Sequence, residues 1–138
     1  MSDDAGKTLV GTWRLLSVHL DMADGDERVH LLGPNPTGQM IVTADQMVCI
    51  LTDTGDGTSG EERQRTAPMF YAGKYRIEEG DKLVVRCDVA WNPAWIGTDQ
   101  VRTFEIQGNR LAVRSGLLTH PVRPGRQGYG VIDWVREA

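Results

Sequence analysis

Arg102 is the residue in this sequence whose charge conflicts most with its surroundings. It lies in "DQVRTFEIQ" (99–107), where alternation puts it on the same side as Phe104 and Ile106. If this segment is a strand, that side faces an apolar interior. A guanidinium inside a protein costs several kcal/mol unless it is paired or hydrogen-bonded. Two interpretations stay open: an internal salt bridge near a rim, or an anchor for a carbonyl, enolate or carboxylate of a bound molecule.

Aromatic side chains supply further candidate ligand contacts. Tyr71 and Tyr75 share one side of "YAGKYRI", as expected of core residues or of a cavity wall whose hydroxyls orient a ligand. Trp91 ends the segment "KLVVRCDVAW", and Trp95 lies in the loop after it, where it either covers a cavity mouth or plugs one end of the fold. The candidate ligand contacts are completed by Phe104, Met40 and Val42.

The segment "KLVVRCDVAW" decides whether Arg102 has an acidic partner. Its apolar set, which alternation directs inward, is Leu83, Val85, Cys87, Val89 and Trp91. Arg86 and Asp88 are then expected to face water. A β-bulge that reversed this alternation would instead bring both Arg86 and Asp88 inside, with Asp88 as a partner for Arg102.

Other chemistries find little support in the residue pattern. The three histidines, His19, His30 and His120, lack the spacing of metal ligands, so we expect no metal site. Nothing positions Ser17 and His30 as parts of a catalytic triad. The loop "GPNPTG" contains no lysine and is interpreted as a rigid turn, not a phosphate cradle.

Turn residues divide the chain into short segments in which apolar and polar residues alternate. "TADQ" separates two such segments, and "GN" (108–109) separates two others. The pattern predicts eight strands, with one or two helical turns over 61–67, and is typical of a sandwich or a closed meander barrel. We predict the all-β barrel, eight-stranded, antiparallel and up-and-down, because closure leaves no unpaired strand edges.

The opening segment "LVGTWRLLSVHL" (9–20) predicts how the barrel closes. Alternation along a long first strand places Trp13 and Ser17 on one side and Val18 on the other. Trp13 is large enough to plug the narrow end of a barrel. Arg136 belongs to the last strand, which lies beside the first in a closed barrel, so we expect its guanidinium to stack on Trp13.

Length, charge and cysteine content narrow the class of protein. The 138 residues are most simply one domain, 1–138, with a flexible N-terminus over 1–8. The net charge of -4 argues against nucleic acid as a partner. The N-terminal residues contain no basic run followed by an apolar stretch, so we expect no secretory signal. No apolar run in the sequence approaches the roughly 20 residues of a membrane-spanning helix. We expect a cytoplasmic protein, and in that reducing compartment Cys49 and Cys87, both in apolar strand contexts, are expected to be free buried thiols and not a disulfide.

Several motifs together resemble a known family. Gly11 and Trp13 at the head of the first strand, with Arg136 on the last, resemble the lipocalin signature. More specifically, the chain resembles the bacterial and fungal lipocalin-like domain family, through the segments 9–17, 33–38, 43–45, 71–77, 92–106 and 134–137. Three positions depart from that family's pattern: Val42 stands where a tyrosine is frequent, Gln46 where a glycine is, and Arg86 where a histidine is.

The resemblance implies a calyx-like barrel that holds a small, mainly apolar ligand, and some lipocalin-like barrels act as cofactor-free cyclases. We therefore predict a barrel that binds an apolar or amphipathic small molecule without a cofactor. Cyclisation or isomerisation of the bound molecule is one further step that such a pocket could support. A passive carrier or sensor, a filled structural barrel and a homodimeric assembly are kept as alternatives.

Overall fold

The computed structural model describes residues 9–25, 28–29, 36–53, 69–119 and 125–137. Within them the chain consists of antiparallel β-strands and one short 3-10 turn, Pro93–Trp95. The strands are β1 (Gly11–Met22), β2 (Arg28–Val29), β3 (Pro36–Val42), β4 (Gln46–Asp53), β5 (Met69–Glu78), β6 (Lys82–Ala90), β7 (Asp99–Gln107), β8 (Arg110–Thr119) and β9 (Gln127–Arg136). The helical turns predicted over 61–67 and the N-terminus 1–8 lie outside the described residues.

Strand pairing closes the sheet into a barrel. Each strand from β3 to β8 pairs with the strand that follows it in the chain. β1 pairs with β3 on one side and with β9 on the other, which closes the sheet. The short β2 adds to the far end of β1, opposite Leu20 and Asp21, beyond the point where β1 leaves β3. The barrel proper is therefore eight-stranded, antiparallel and up-and-down, as the sequence predicts.

The two ends of the barrel differ in their connections. At one end, here called the hairpin end, short turns join β3 to β4, β5 to β6 and β7 to β8. The first residues of β1 and the last of β9 lie at that same end. The opposite end, here called the open end, carries the 3-10 turn between β6 and β7.

The predicted alternation along β1 is wrong beyond Leu15. A β-bulge in the pairing with β9 inserts one extra residue between Leu15 and Ser17. Leu16 is consequently exposed, and Val18, which alternation places outside, is buried in the core. A bulge reverses which side chains face inward, and the preceding residue types gave no sign of it.

A second bulge reorients the end of β6. Gly73 pairs with Cys87 and Ala72 pairs with Val89, so Asp88 is the extra residue. A Cβ on Gly73 would lie 1.8 Å from a backbone oxygen of the partner strand, which explains why glycine stands at this close approach. Leu83, Val85 and Cys87 face inward as predicted, but Val89 and Trp91 are exposed, which corrects their predicted inward orientation.

Apolar side chains fill the middle of the barrel. Inward-facing side chains of the barrel strands form this core. They include Trp13, Met40, Val42, Met47, Cys49, Leu83, Val85, Cys87, Phe104, Leu111 and Trp134. The Trp134 indole N–H is buried there without a hydrogen-bond partner in the part of the chain that the structure describes. A filled middle confines any accessible interior space to the ends of the barrel.

Trp13 and Arg136 close the hairpin end, as predicted. The Arg136 guanidinium carbon lies 4.2 Å from the centre of the fully buried Trp13 ring. The Trp13 indole N–H donates to the Leu9 carbonyl (2.9 Å), and Arg136 Nη1 donates to the Val10 carbonyl (2.8 Å). Gly11 has a φ of 144°, and a Cβ there would lie 2.6 Å from Arg136 Nη1. Glycine thus leaves the space that the guanidinium occupies.

Cys49 and Cys87 are both buried and unpaired. Burial raises the pKa of the Cys49 thiol to about 12, although the Arg102 cation lowers it in part. Burial also raises the pKa of the Cys87 thiol. Both sulfurs therefore stay protonated near neutral pH and pack as small apolar groups.

The described part of the chain contains no helix that is both long and apolar enough to cross a membrane.

Replacing Trp13 tests the closure of the hairpin end. Trp13→Ala should lower the free energy of unfolding by about 3–5 kcal/mol, because a large buried aromatic side chain leaves a cavity. Chemical denaturation of the wild type and the variant measures the loss. Thr12→Ala, at the neighbouring position of the same strand, is the control. Unfolding at the same denaturant concentration for Trp13→Ala and the wild type would contradict the role given to the indole.

Thiol labelling tests the burial of the two cysteines. We expect an aromatic disulfide reagent to label the folded protein slowly and the unfolded protein quickly, because only the exposed thiolate reacts. Cys49→Ala and Cys87→Ala assign the signal to one sulfur at a time. Stoichiometric labelling of the folded protein as fast as that of the unfolded chain would overturn this expectation.

Candidate functional site

Arg102 lies on the inward side of β7, as its position in the alternation predicts. It is half-buried and shares this side with Gln100 and the buried Phe104. Its strand neighbour on β6 is Leu83, which is fully buried. The Arg102 residue therefore lies next to the packed middle of the barrel.

Two aromatic rings and two oxygens hold the Arg102 side chain. The guanidinium carbon lies 5.8 Å from the centre of the Tyr71 ring and 5.7 Å from that of Trp95, within the range of cation–π attraction. Nη1 donates to the Val101 carbonyl (3.0 Å), and Nη2 donates to the amide oxygen of Gln100 (3.3 Å). These contacts direct the guanidinium towards the open end, where the turn bearing Trp95 is located.

The salt bridge that the sequence left open for Arg102 is absent among the described residues. Asp88 is exposed on the outside of the barrel. Asp99 lies on the outer side of β7, where it pairs with Arg76 (3.3 Å) and Arg86 (3.4 Å). Arg102 is thus a half-buried cation whose partners in this part of the chain are neutral.

Trp95 connects Arg102 to the rim of the open end. Its ring meets the Tyr71 ring edge-on at 5.7 Å and the Trp91 ring edge-on at 5.9 Å. The backbone that carries Trp95 is fixed by the Asn92 side chain, which accepts from Ala94 N (3.1 Å). We call these four residues the Arg102 cluster: Tyr71, Trp91, Trp95 and Arg102.

Burial controls the ionisation of the cluster. It raises the pKa of the Tyr71 hydroxyl well above its usual range, with a smaller opposing effect from the Arg102 cation. The hydroxyl is therefore neutral at any physiological pH and is able to donate a hydrogen bond. The cluster combines one permanent positive charge with a neutral donor and apolar ring faces.

The remaining candidate residues are not members of this cluster. Met40, Val42 and Phe104 are buried members of the core. The Tyr75 hydroxyl donates to the Thr43 carbonyl (2.6 Å), in the turn between β3 and β4 at the hairpin end. Of the predicted ligand contacts, the structure therefore brings Tyr71 and Trp95 against Arg102 and Trp91 against Trp95, and it places the others in the core or at the opposite end.

Gln100 is a part of the site that the sequence reasoning missed. It precedes Arg102 by two residues and therefore lies on the same inward side of β7. This spacing was the signal that could have identified it, because a polar side chain at that position can orient the guanidinium. Its amide oxygen accepts one guanidinium N–H and leaves the others available.

The outer wall carries a depression that is separate from the Arg102 cluster. It measures about 410 Å³ and lies between β1 and β3, lined by residues that include Arg14, Gln39 and Ile50. Arg14, Gln39 and Ile50 are exposed and face away from the interior. No group of histidine, cysteine or acidic side chains in the described ranges is arranged to hold a metal ion.

The fold and the site together define a closed, up-and-down β-barrel with a cation at one end of its interior. A sequence profile described as "Lipocalin-like domain" matches residues 10–136. The chain belongs to this lipocalin-like family, as its motifs suggested. Barrels of this type generally support the binding of a small molecule.

The comparisons with curated proteins and with solved structures add nothing to this family assignment. No curated protein matches this chain. Among solved structures, a redesigned β-barrel is 15% identical with a TM-score of 0.46, over 100% of this chain and 97% of that one.

The absence of a carboxylate partner predicts the effect of Arg102→Leu on stability. We expect the free energy of unfolding to change by no more than about 1 kcal/mol, because no buried acidic group loses its counter-charge. Denaturation curves for the wild type and the variant measure this, with Arg114→Leu on the exposed side of β8 as the control. A loss of about 3–5 kcal/mol, typical of breaking a buried ion pair, would instead indicate a structural salt bridge.

Proposed function

We propose that this protein binds a small apolar or amphipathic molecule at the open end of its barrel, with Arg102 as the polar anchor. The observation that carries the proposal is a half-buried guanidinium without a carboxylate partner among the described residues, set against Tyr71 and Trp95. A ligand oxygen would supply a further acceptor, beside the two neutral oxygens that Arg102 contacts among the described residues. The ring faces would cover the apolar part of the same molecule.

The distribution of burial supports the open end as the location. On the hairpin-end side of Arg102, Phe104, Val113 and Leu111 are buried and leave no space for a ligand. Towards the open end, Trp95 and Arg102 are only half-buried. A molecule that enters from this end therefore meets the Arg102 cluster before it meets the core.

The cellular setting and the cofactor requirement belong to the same proposal. Two unpaired cysteines are consistent with a reducing cytoplasm. The Arg102 cluster consists of a cation, aromatic rings and a hydroxyl, so binding of this kind calls for no cofactor. The occupant is a small molecule and neither nucleic acid nor membrane, in line with the net charge of -4.

A second candidate function is cofactor-free cyclisation or isomerisation of the bound molecule. The proximity of the Arg102 cation to the neutral Tyr71 hydroxyl favours it, because two such donors stabilise negative charge that develops on a carbonyl oxygen. An enclosing wall would also restrict the conformations from which the substrate reacts. A passive carrier would use the same cluster for binding alone.

A thermal-shift screen tests the proposal. Small apolar and amphipathic compounds should include some that raise the Tm of the wild type, because they bind the folded state. Arg102→Leu should weaken their binding by roughly 10- to 150-fold, the equivalent of the about 1.5–3 kcal/mol of a hydrogen bond to a charged group. Arg114→Leu, on the outer side of β8, should leave the affinity unchanged.

Two outcomes would refute the binding proposal. One is that no compound shifts the Tm of the wild type while Arg102→Leu is strongly destabilised, which would indicate a filled structural barrel. The other is that compounds bind equally well to Arg102→Leu and the wild type. Turnover is examined separately, by following each bound compound for conversion in the presence of the wild type and of Tyr71→Phe.

A further inference from the structure

We infer that the ligand carries an anionic head group, of the carboxylate or enolate class, which binds at Arg102 while its apolar part extends outward across the rim. This inference rests on the proposed function and adds the charge and the orientation of the ligand.

The negative charge of the ligand's head group is inferred from the residues that surround the Arg102 guanidinium. Arg102 has five N–H donors, and two hydrogen bonds to neutral oxygens use only part of them. Within the described ranges, both acidic side chains of β7, Asp99 and Glu105, lie on its outer side, and Asp99 is shared by Arg76 and Arg86. The cation therefore creates a positive potential at this end of the interior that no carboxylate of the described residues neutralises by pairing with it.

The groups beside Arg102 favour an anion over a neutral oxygen. The Tyr71 hydroxyl stays protonated, so it adds a donor and no competing negative charge. A planar carboxylate matches the fork of the guanidinium and accepts two parallel hydrogen bonds. Partial burial strengthens this attraction, because little water remains between the charges.

The orientation of the ligand is inferred from how tightly the side chains pack on the two sides of Arg102. On the hairpin-end side of Arg102, Phe104 and its β8 neighbour Val113 are at most 9% exposed, so an apolar chain finds no room there. Outward of it, Trp91 is 39% and Ile96 is 52% exposed, beside the half-buried Trp95. Among the described neighbours of Arg102, the apolar surface that is open to solvent lies on the open-end side. The head group consequently enters first, and the tail lies along the rim.

Three compounds with one tail and different heads test the charge. Octanoate, octanol and octylammonium are titrated into the wild type, Arg102→Gln, Arg102→Lys and Arg114→Gln by calorimetry at neutral pH. We expect the wild type to bind octanoate about tenfold or more tightly than octanol and to bind octylammonium least. Arg102→Gln should lose this preference, Arg102→Lys should retain part of it, and Arg114→Gln should keep it in full.

Chain length tests the orientation. Lengthening the carboxylate from hexanoate to decanoate should increase its affinity for the wild type, since more of the rim is covered. Trp91→Ala and Ile96→Ala should reduce the gain from the longer chain, and Ile96→Ala, which lies outside the Arg102 cluster, should leave hexanoate binding nearly unchanged. Ile41→Ala, an exposed apolar position on the outer wall, is the matched control.

The outcomes separate this inference from the proposed function. Equal or tighter binding of octanol, still weakened by Trp95→Ala, would overturn the anionic head group but leave a ligand site at the open end. A chain-length gain insensitive to Trp91→Ala and Ile96→Ala would overturn the outward tail. Absence of binding by all three compounds to the wild type would overturn both the inference and the proposed site.

Discussion

The pairing of the first strand with the last is the constraint on which the rest of this structure depends. It converts an open sheet into a barrel and so defines an inside, without which Arg102 would be one more surface arginine. Stacking of Arg136 on Trp13 covers the hairpin end at this seam, and Gly11 leaves the necessary space. Among the described residues that end is closed and the middle is filled, whereas Trp95 and Arg102 towards the open end are only half-buried.

The two arginines on the inner side of the wall illustrate how environment assigns a role. Arg136 lies over an aromatic ring and donates to the Val10 carbonyl, in a contact that joins the two ends of the chain. Arg102 also lies against aromatic rings, but its neighbours leave part of its hydrogen-bonding capacity unused. The first arrangement stabilises the fold, whereas the second is suited to an occupant that is not part of the chain.

The two β-bulges show how small irregularities shape the rim. The extra residue Asp88 in β6 turns Val89 and Trp91 outward, so that the open end presents apolar surface beside the Arg102 cluster. In the regular alternation Trp91 would have pointed into the core. Its edge-on contact with Trp95 instead continues the aromatic surface from the interior to the rim.

By itself the sequence determined the eight-stranded barrel, the contact of Trp13 with Arg136 and the inward direction of Arg102, because alternation and turn residues act over a few positions. Only the tertiary structure decided where the alternation breaks, since a bulge depends on the partner strand as much as on its own residues. It alone separated Tyr71, which faces Arg102, from Tyr75, whose hydroxyl holds the turn at the opposite end. It also decided that Asp99 pairs outside, leaving Arg102 to neutral neighbours, because partners on different strands are set by register and closure together.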